Sequence, residues 1–222
     1  MNSFALLEQL IGKLEAYENA AEDKNNLSME GFYQSISGEV NLTALKNSFI
    51  GEVPETDAAD RKHFIETNIE RVISQNFLFL YRYIKYYSKI ALKESVINSI
   101  EEFGMAMTVL QYQSISKTDL IKKNVIEKSS GVEIINRLIK IGLLTQTDNP
   151  DDHRSQLIGL SDQGKFELFK TFENMNTLGL IATGTLNTSE KVQLAMILKK
   201  LDQFHFNNYN NKSLNNLEDF LP

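Results

Sequence analysis

Apolar residues return every three or four positions along most of this chain, the repeat of helices with one buried face. Over 4–22 the repeat is Leu7, Leu10, Leu14 and Tyr17, a seam too short to hold a lone coiled coil, so it needs a surface to pack on. AEDKNNLS breaks the pattern. Weaker helical pieces follow around 28–36 and 39–50, and Gly51, Pro54 and the polar run ETDAAD mark a linker. A long helix is predicted over 57–92, capped by Thr56 or Asp57. Its Phe77–Tyr87 stretch is apolar on more than one face, which predicts burial on several sides, within the chain or against a second subunit.

Further on, the pattern shortens and changes period. Ser99 with Glu102 forms a capping box for a helix over 100–113, and Ser116 with Asp119 resembles one for 117–124. The next helix starts near Glu127–Ser129. Ile134, Ile135, Leu138 and Ile141 are its core stripe, and Gly142 ends it as a natural C′ residue. Leu143–Thr147 and Gln156–Leu160 read as strands around the charged turn DNPDDHR. Ser161 caps a helix of roughly 162–180. Thr188 or Ser189 opens the last helix, to about 205, with Leu194, Leu198, Leu201 and His205 on one face. The tail NNYNNKSLNNLEDFLP is predicted to be poorly ordered. Helix, tight turn, helix and wing, in that order over Ser116–Lys165, would present a helix and a hairpin tip to a nucleic-acid duplex.

Composition narrows the classes. With 222 residues and 42% hydrophobic content the chain can bury a core, yet no apolar run approaches the roughly 18 residues that span a bilayer. The first twenty residues lack a basic n-region and carry Glu8 and Glu15, so they read as a helix, not a secretory signal, and a cytoplasmic protein with no membrane partner is expected. Absence of cysteine excludes disulfides, thiol catalysis and cysteine-based zinc sites. His63, His153 and His205 are scattered without metal spacing, and neither a Gly-rich phosphate loop nor a nucleophile constellation stands out. No cofactor and no enzymatic activity are expected. The net charge of −6 is uneven: residues 1–65 hold 5 basic and 11 acidic residues, and the remainder is neutral. A neutral body with clustered cations can still bind DNA, because local potential governs phosphate contact.

Over residues 60–205 the chain resembles the multiple-antibiotic-resistance regulator (MarR) family of winged-helix transcription factors. The resemblance rests on Lys128-Ser129-Ser130, Asn136-Arg137-Leu138, Gly142-Leu143, Asp152-His153-Arg154 and Leu160-Ser161-Asp162-Gln163-Gly164, in that order and spacing. It implies an α-helical winged-helix homodimer whose first long helix and last two helices form the dimer interface. It also implies small aromatic effectors held between the dimer helices and the DNA lobe, for which Phe77, Tyr81, Tyr83 and Tyr87 are candidates, although core and dimer packing explains the same aromatics. Gly131 and Glu133 depart from the family's habit of small polar or β-branched residues and arginine. A mid-helix glycine costs about 1 kcal/mol, and an acid facing phosphates opposes binding.

Each candidate residue has a plainer reading beside it. Ser129 and Ser130 can bind phosphate or a base edge, or serve as an N-cap. Asn136 can read adenine bidentately or sit as a solvated polar residue. Arg137 can fasten the helix to the wing through Asp151 or Asp152, or meet phosphate. His153 and Arg154 stand at the hairpin tip, where a guanidinium can enter a narrow minor groove, held by Asp152; the alternative is an exposed ion pair. Lys117, Lys122, Lys123 and Lys128 supply phosphate contacts or a solvated face.

The expected fold is mainly α, a winged helix-turn-helix domain with long dimerisation helices and an extra N-terminal arm. The expected organisation is an acidic helical extension over 1–55, dimerisation helices over 56–98 and 174–206, a DNA-binding lobe over 99–173 and a disordered tail over 207–222. The expected function is a homodimeric, sequence-specific regulator of transcription, acting as a repressor on a pseudo-palindromic duplex site and responsive to a small aromatic molecule. The rival is a winged-helix protein-interaction module that has lost DNA binding, motivated by Glu133 and the acidic arm.

Overall fold

The computed structural model describes residues 3–21, 27–29, 31–32, 58–150 and 155–222, with backbone alone at 58–63 and 65–67. It divides into two compact units, Met1–Phe77 and Leu78–Pro222. In the first unit, α1 (Ser3–Ala20) buries none of its residues, so Leu7, Leu10 and Leu14 stay exposed. Tyr17 alone of the seam finds a described neighbour: its ring lies 5.8 Å from Phe32, and its hydroxyl accepts the Ser28 N–H at 3.4 Å. Apart from a few residues around Phe32, the pieces expected over 28–36 and 39–50, and the linker, lie outside the described residues.

A long helix, α2 (Ala58–Ala91), agrees with the expected 57–92. Its C-terminal part, from Leu78 on, belongs to the second unit. There follow α3 (Ile100–Tyr112), β1 (Ser114–Ser116), α4 (Lys117–Lys123), α5 (Lys128–Lys140), β2 (Leu144–Asp148) and β3 (Gln156–Leu160). Then come α6 (Asp162–Lys170), α7 (Phe172–Thr183) and α8 (Thr188–Asn210), with a final 3-10 turn at Leu217–Phe220. The described residues are mainly α with one small antiparallel sheet in the order β1-β3-β2, a winged helix-turn-helix. Central β3 places Ile158 opposite Ile115 on one side and Gln146 on the other. The core gathers Met105, Val109, Leu120, Ile135, Leu138, Leu143, Ile158 and Leu168 from α3 to α6.

Several local outcomes differ from the periodicity. The strand β1 is too short, at three residues, to show a period. The helix predicted over 162–180 breaks in two: the Thr171 N–H and hydroxyl both donate to the Leu168 carbonyl, at 3.1 and 2.6 Å, and tighten the turn there. The last helix begins at Thr188, as expected, on an N-cap at Asn187 with a complete capping box to Glu190, but continues past 205 to Asn210. The tail expected to be disordered from 207 thus starts as helix, and its 3-10 turn is capped by Asn216 and Asp219.

Candidate nucleic-acid interface

The α4–turn–α5 pair is held by short polar ties. Ser116 caps α4 as predicted, accepting the Asp119 N–H at 3.1 Å while its hydroxyl donates to the Asp119 carboxylate at 2.7 Å. At the other end Asn124 donates to the Leu120 carbonyl (2.8 Å) and to the Thr108 hydroxyl (3.2 Å) on α3. α5 then crosses closely over α4 at Gly131, which is buried; a Cβ there would stand 2.6 Å from Ile121 Cγ1. Gly131 is therefore not a weakened spot on an outward face. It belongs to the packed stripe with Ile135 and Leu138, and only a glycine fits the crossing. Ile134 and Ile141 of the predicted stripe are half-buried at its edges.

The exit of α5 is built as tightly. Gly142, at φ +76°, donates to the Ile139 carbonyl (2.9 Å) and Leu143 to the Leu138 carbonyl (2.9 Å), the two bonds of a Schellman motif. Ser161 joins this exit to α6. Its hydroxyl donates to the Gly142 carbonyl at 2.6 Å and accepts the Gly164 N–H at 2.8 Å, while its own N–H reaches the Leu143 carbonyl at 3.1 Å. Gly164 lies so close that a Cβ would sit 2.0 Å from the Leu143 carbonyl oxygen.

Arg137 is the third tie, with a partner that differs from the expected wing acid. Its guanidinium is bidentate to Glu102 on α3, Nε to Oε1 and Nη2 to Oε2 both at 2.5 Å, and Nη2 also donates to the Val96 carbonyl at 3.0 Å. Glu102 is 5% exposed. Its hydrogen bonds hold the Arg137 guanidinium above its ordinary pKa, so Arg137 keeps its charge. Glu102 accepts the Asn98 N–H at 2.7 Å as well. This leaves only half of the capping box predicted at Ser99, whose side chain accepts the Glu102 N–H at 3.1 Å. A glutamate at a capping position hides its second role, which is why spacing alone did not reveal Glu102.

The opposite face of α5 is open. Ser129, Glu133, Asn136 and Lys140 are exposed and share one side, at spacings of four, three and four. Lys140 completes this stripe, and the same spacing rule would have found it from the sequence. Ser129 and Ser130 occupy the first turn but not the cap; that is Glu127, whose side chain makes no capping bond. Lys122 and Lys128 are exposed nearby, Lys117 reaches Gln156 at the base of the wing (3.4 Å), and Lys123 lies 4.6 Å over the Tyr112 ring. The wing strands close at Asn149, which donates to Ser155 from side chain (2.8 Å) and backbone (3.2 Å). Asp151, Asp152, His153 and Arg154 lie outside the described residues.

The four aromatic pocket candidates do not converge. Phe77, Tyr81 and Tyr83 are exposed. Only Tyr87 lines a cleft of about 200 Å³, with Ile90 and Ala91 of α2 and Asn174, Thr177, Leu178 and Ile181 of α7. Asn174 anchors this corner by donating to the Ala91 carbonyl at 3.0 Å. Within one chain the Phe77–Tyr87 stretch is thus not enclosed as a core.

Residues 105–164 match the family described as a winged helix DNA-binding domain. No curated protein matches the chain as a relative. Among solved structures, the organohalide-sensing transcriptional regulator RdhR in its 2,4-dichlorophenol-bound form superposes with a TM-score of 0.58 at 21% identity, over 66% of this chain and 87% of that one. A mutant MarR from E. coli complexed with operator DNA gives 0.55 at 18%, over 60% and 96%. BpsR from Bordetella bronchiseptica, whose DNA binding is regulated by 6-hydroxynicotinic acid, gives 0.55 at 19%, over 59% and 92%. The expected winged-helix fold and its likeness to MarR-type regulators are borne out.

Proposed function

We propose that this chain is a MarR-type transcriptional regulator of the cytoplasm, acting as a homodimer and repressing from a pseudo-palindromic duplex site. It works by binding, not by catalysis. The observation that carries the reading is the division of α5: a face locked into the lobe by Gly131, Ile135 and Leu138, and an opposite face of Ser129, Glu133, Asn136 and Lys140 that the fold leaves open. The 117–140 segment around it carries six basic and three acidic residues, a local excess of the sign phosphates need. Ser129, Ser130 and Asn136 would face base edges in the major groove, with Lys117, Lys122, Lys123 and Lys128 on phosphates. His153 and Arg154 would enter the flanking minor groove, supported by Asp152. Arg137 acts by holding α5, not by touching DNA.

A second copy of the chain accounts for the exposed apolar faces of α2 and α8, where Leu78, Leu80, Tyr83, Ile90, Val192, Met196 and Ile197 are in water in a single chain. Two lobes would then offer their α5 helices about 34–36 Å apart, one helical turn of DNA. The small cleft at Tyr87 would hold one aromatic ring of an effector, which would change the lobe spacing. BpsR and RdhR, which share the fold, are described with such molecules.

The test is binding of the full chain to genomic duplex fragments across a salt series. Phosphate contact gives a log–log slope proportional to the number of contacts, and light scattering should give twice the chain mass. Arg154→Ala should weaken binding with little change in melting. Glu133 on the open face favours the rival, a protein-interaction module; retention of no duplex at low salt would decide for it.

A further inference from the structure

We infer that Glu133 reads a cytosine: its carboxylate accepts a hydrogen bond from the N4 amino group of a C·G pair in each half-site. The inference rests on the regulator reading above. Glu133 stands in the middle of the open face of α5, one turn after Ser129 and one before Asn136. Among the described residues it makes no hydrogen bond and no ion pair. The cation placed to neutralise it, Arg137 one turn on, is drawn away by both oxygens of Glu102 at 2.5 Å. The lobe therefore keeps a carboxylate without a partner at the centre of its reading surface.

When that surface closes on a duplex, water is excluded, and a carboxylate left without a donor is costly. Phosphates cannot supply one. In the major groove guanine offers two acceptors, thymine an acceptor and a methyl group, and adenine a donor beside an acceptor that repels the second oxygen. Cytosine offers its N4 donor without a neighbouring acceptor on the same base. The surrounding lysines offset the repulsion between the acid and the backbone, so affinity survives and the acid is left to discriminate. Asn136 stands about 4.5 Å further along the helix axis, close to one base-pair step, and would address an adjacent pair.

The experiment selects randomised duplexes with the full chain. Anisotropy then measures binding to four duplexes varied at the enriched pair, for the natural chain, Glu133→Ala and Glu133→Gln. The natural chain should prefer cytosine on the order of tenfold. Glu133→Ala should flatten the preference at that pair and no other, and Glu133→Gln should shift it toward adenine. If Glu133→Ala keeps every base preference and binds all four duplexes more tightly by a common factor, the acid merely repels and the inference fails. If the natural chain retains no duplex at low salt, the regulator reading fails along with it. Selection that proceeds without regard to residue 133 removes this inference alone.

Discussion

Gly131, Ile135 and Leu138 on one side of α5, and Ser129, Glu133 and Asn136 on the other, occupy the same thirteen-residue helix under opposite constraints. The inner three are buried in the lobe, and Gly142, Leu143, Ser161 and Gly164 beyond them are held by hydrogen bonds of 2.6–3.1 Å. Among the described residues, the side chains of the outer three make no hydrogen bond and no ion pair. Motif residues that identify a fold can thus differ entirely from those that decide what the fold reads. Here Leu160-Ser161-Asp162-Gln163-Gly164, part of the resemblance, fastens the wing to the exit of α5, whereas the outward residues are free to vary with the ligand.

If that contrast holds, substitutions on the inner side act on stability in proportion to their contacts. The largest effect belongs to Gly164→Ala. The added carbon would meet a backbone carbonyl at 2.0 Å, which cannot rotate away, so a loss of about 3 kcal/mol or more is expected in denaturant unfolding. An unchanged midpoint would show that α6 can slide. Arg137→Ala comes next. It leaves Glu102 buried without its counter-charge, but the Arg137 side chain is 34% exposed and water replaces part of the contact, so about 2 kcal/mol is expected. Glu102→Gln should recover part of the loss in the double variant; additive losses would show that the two residues act independently.

The elements that the sequence revealed, and those it hid, follow the same division. The period-3.6 stripe of α5 was legible because that helix buries a face in the lobe, the repeat along α8 was legible although that helix buries none of its residues within the chain, and caps at Ser99, Ser116 and Ser161 marked helix starts by a local bond. What stayed hidden was non-local. β1 exists because β3 pairs with it, Glu102 meets Arg137 across 35 positions, and Gly131 is required by Ile121 on another helix. Of the site, Lys122, Lys123, Lys128, Ser129, Ser130 and Asn136 were legible as exposed polar positions, whereas Lys117 is half-buried. Within a single chain the aromatic candidates are not brought into one cleft: Phe77, Tyr81 and Tyr83 are exposed, and Tyr87 alone of the four lines the cleft beside α7.

Ser161→Ala removes a cap and a link to the Gly142 carbonyl, and about 1 kcal/mol is expected by the same measurement. A smaller effect lies at the rim of the lobe, where Lys85 on α2 meets Glu101 on α3 at 3.1 Å. Hydrogen bonds that Lys85 donates to Glu101 and Tyr81 hold it above its ordinary pKa. Burial pushes Glu101 up, but its own backbone N–H, Lys85 and Ser99 outweigh it, and the carboxyl sits below its ordinary value. The Glu101 share of stability is present above its unfolded pKa and lost as pH falls through the folded one. The Lys85 share is present below its unfolded pKa and lost as pH rises through the folded one. The pair is therefore intact across neutral pH. Being largely exposed, it contributes only about a few tenths of a kcal/mol. The stability difference between the natural chain and Glu101→Gln should vanish in acid; a difference that persists there would assign it to packing.

The smallest stability effect is expected where the effect on binding is large. Asn136 is exposed, on the side of α5 away from Ile135 and Leu138, and makes no hydrogen bond among the described residues. Asn136→Ala removes nothing the fold uses, and alanine is the better helix former, so unfolding should shift by less than about 0.5 kcal/mol, in the stabilising direction. If Asn136 pairs with an adenine, the same substitution should cost about 1–3 kcal/mol of duplex binding at fixed salt and leave the salt slope unchanged, because no phosphate contact is lost. A fall in stability like that of Ser161→Ala would mean that the open face of α5 has a structural partner in this chain. Unchanged binding would mean that the face is open to something other than a base pair.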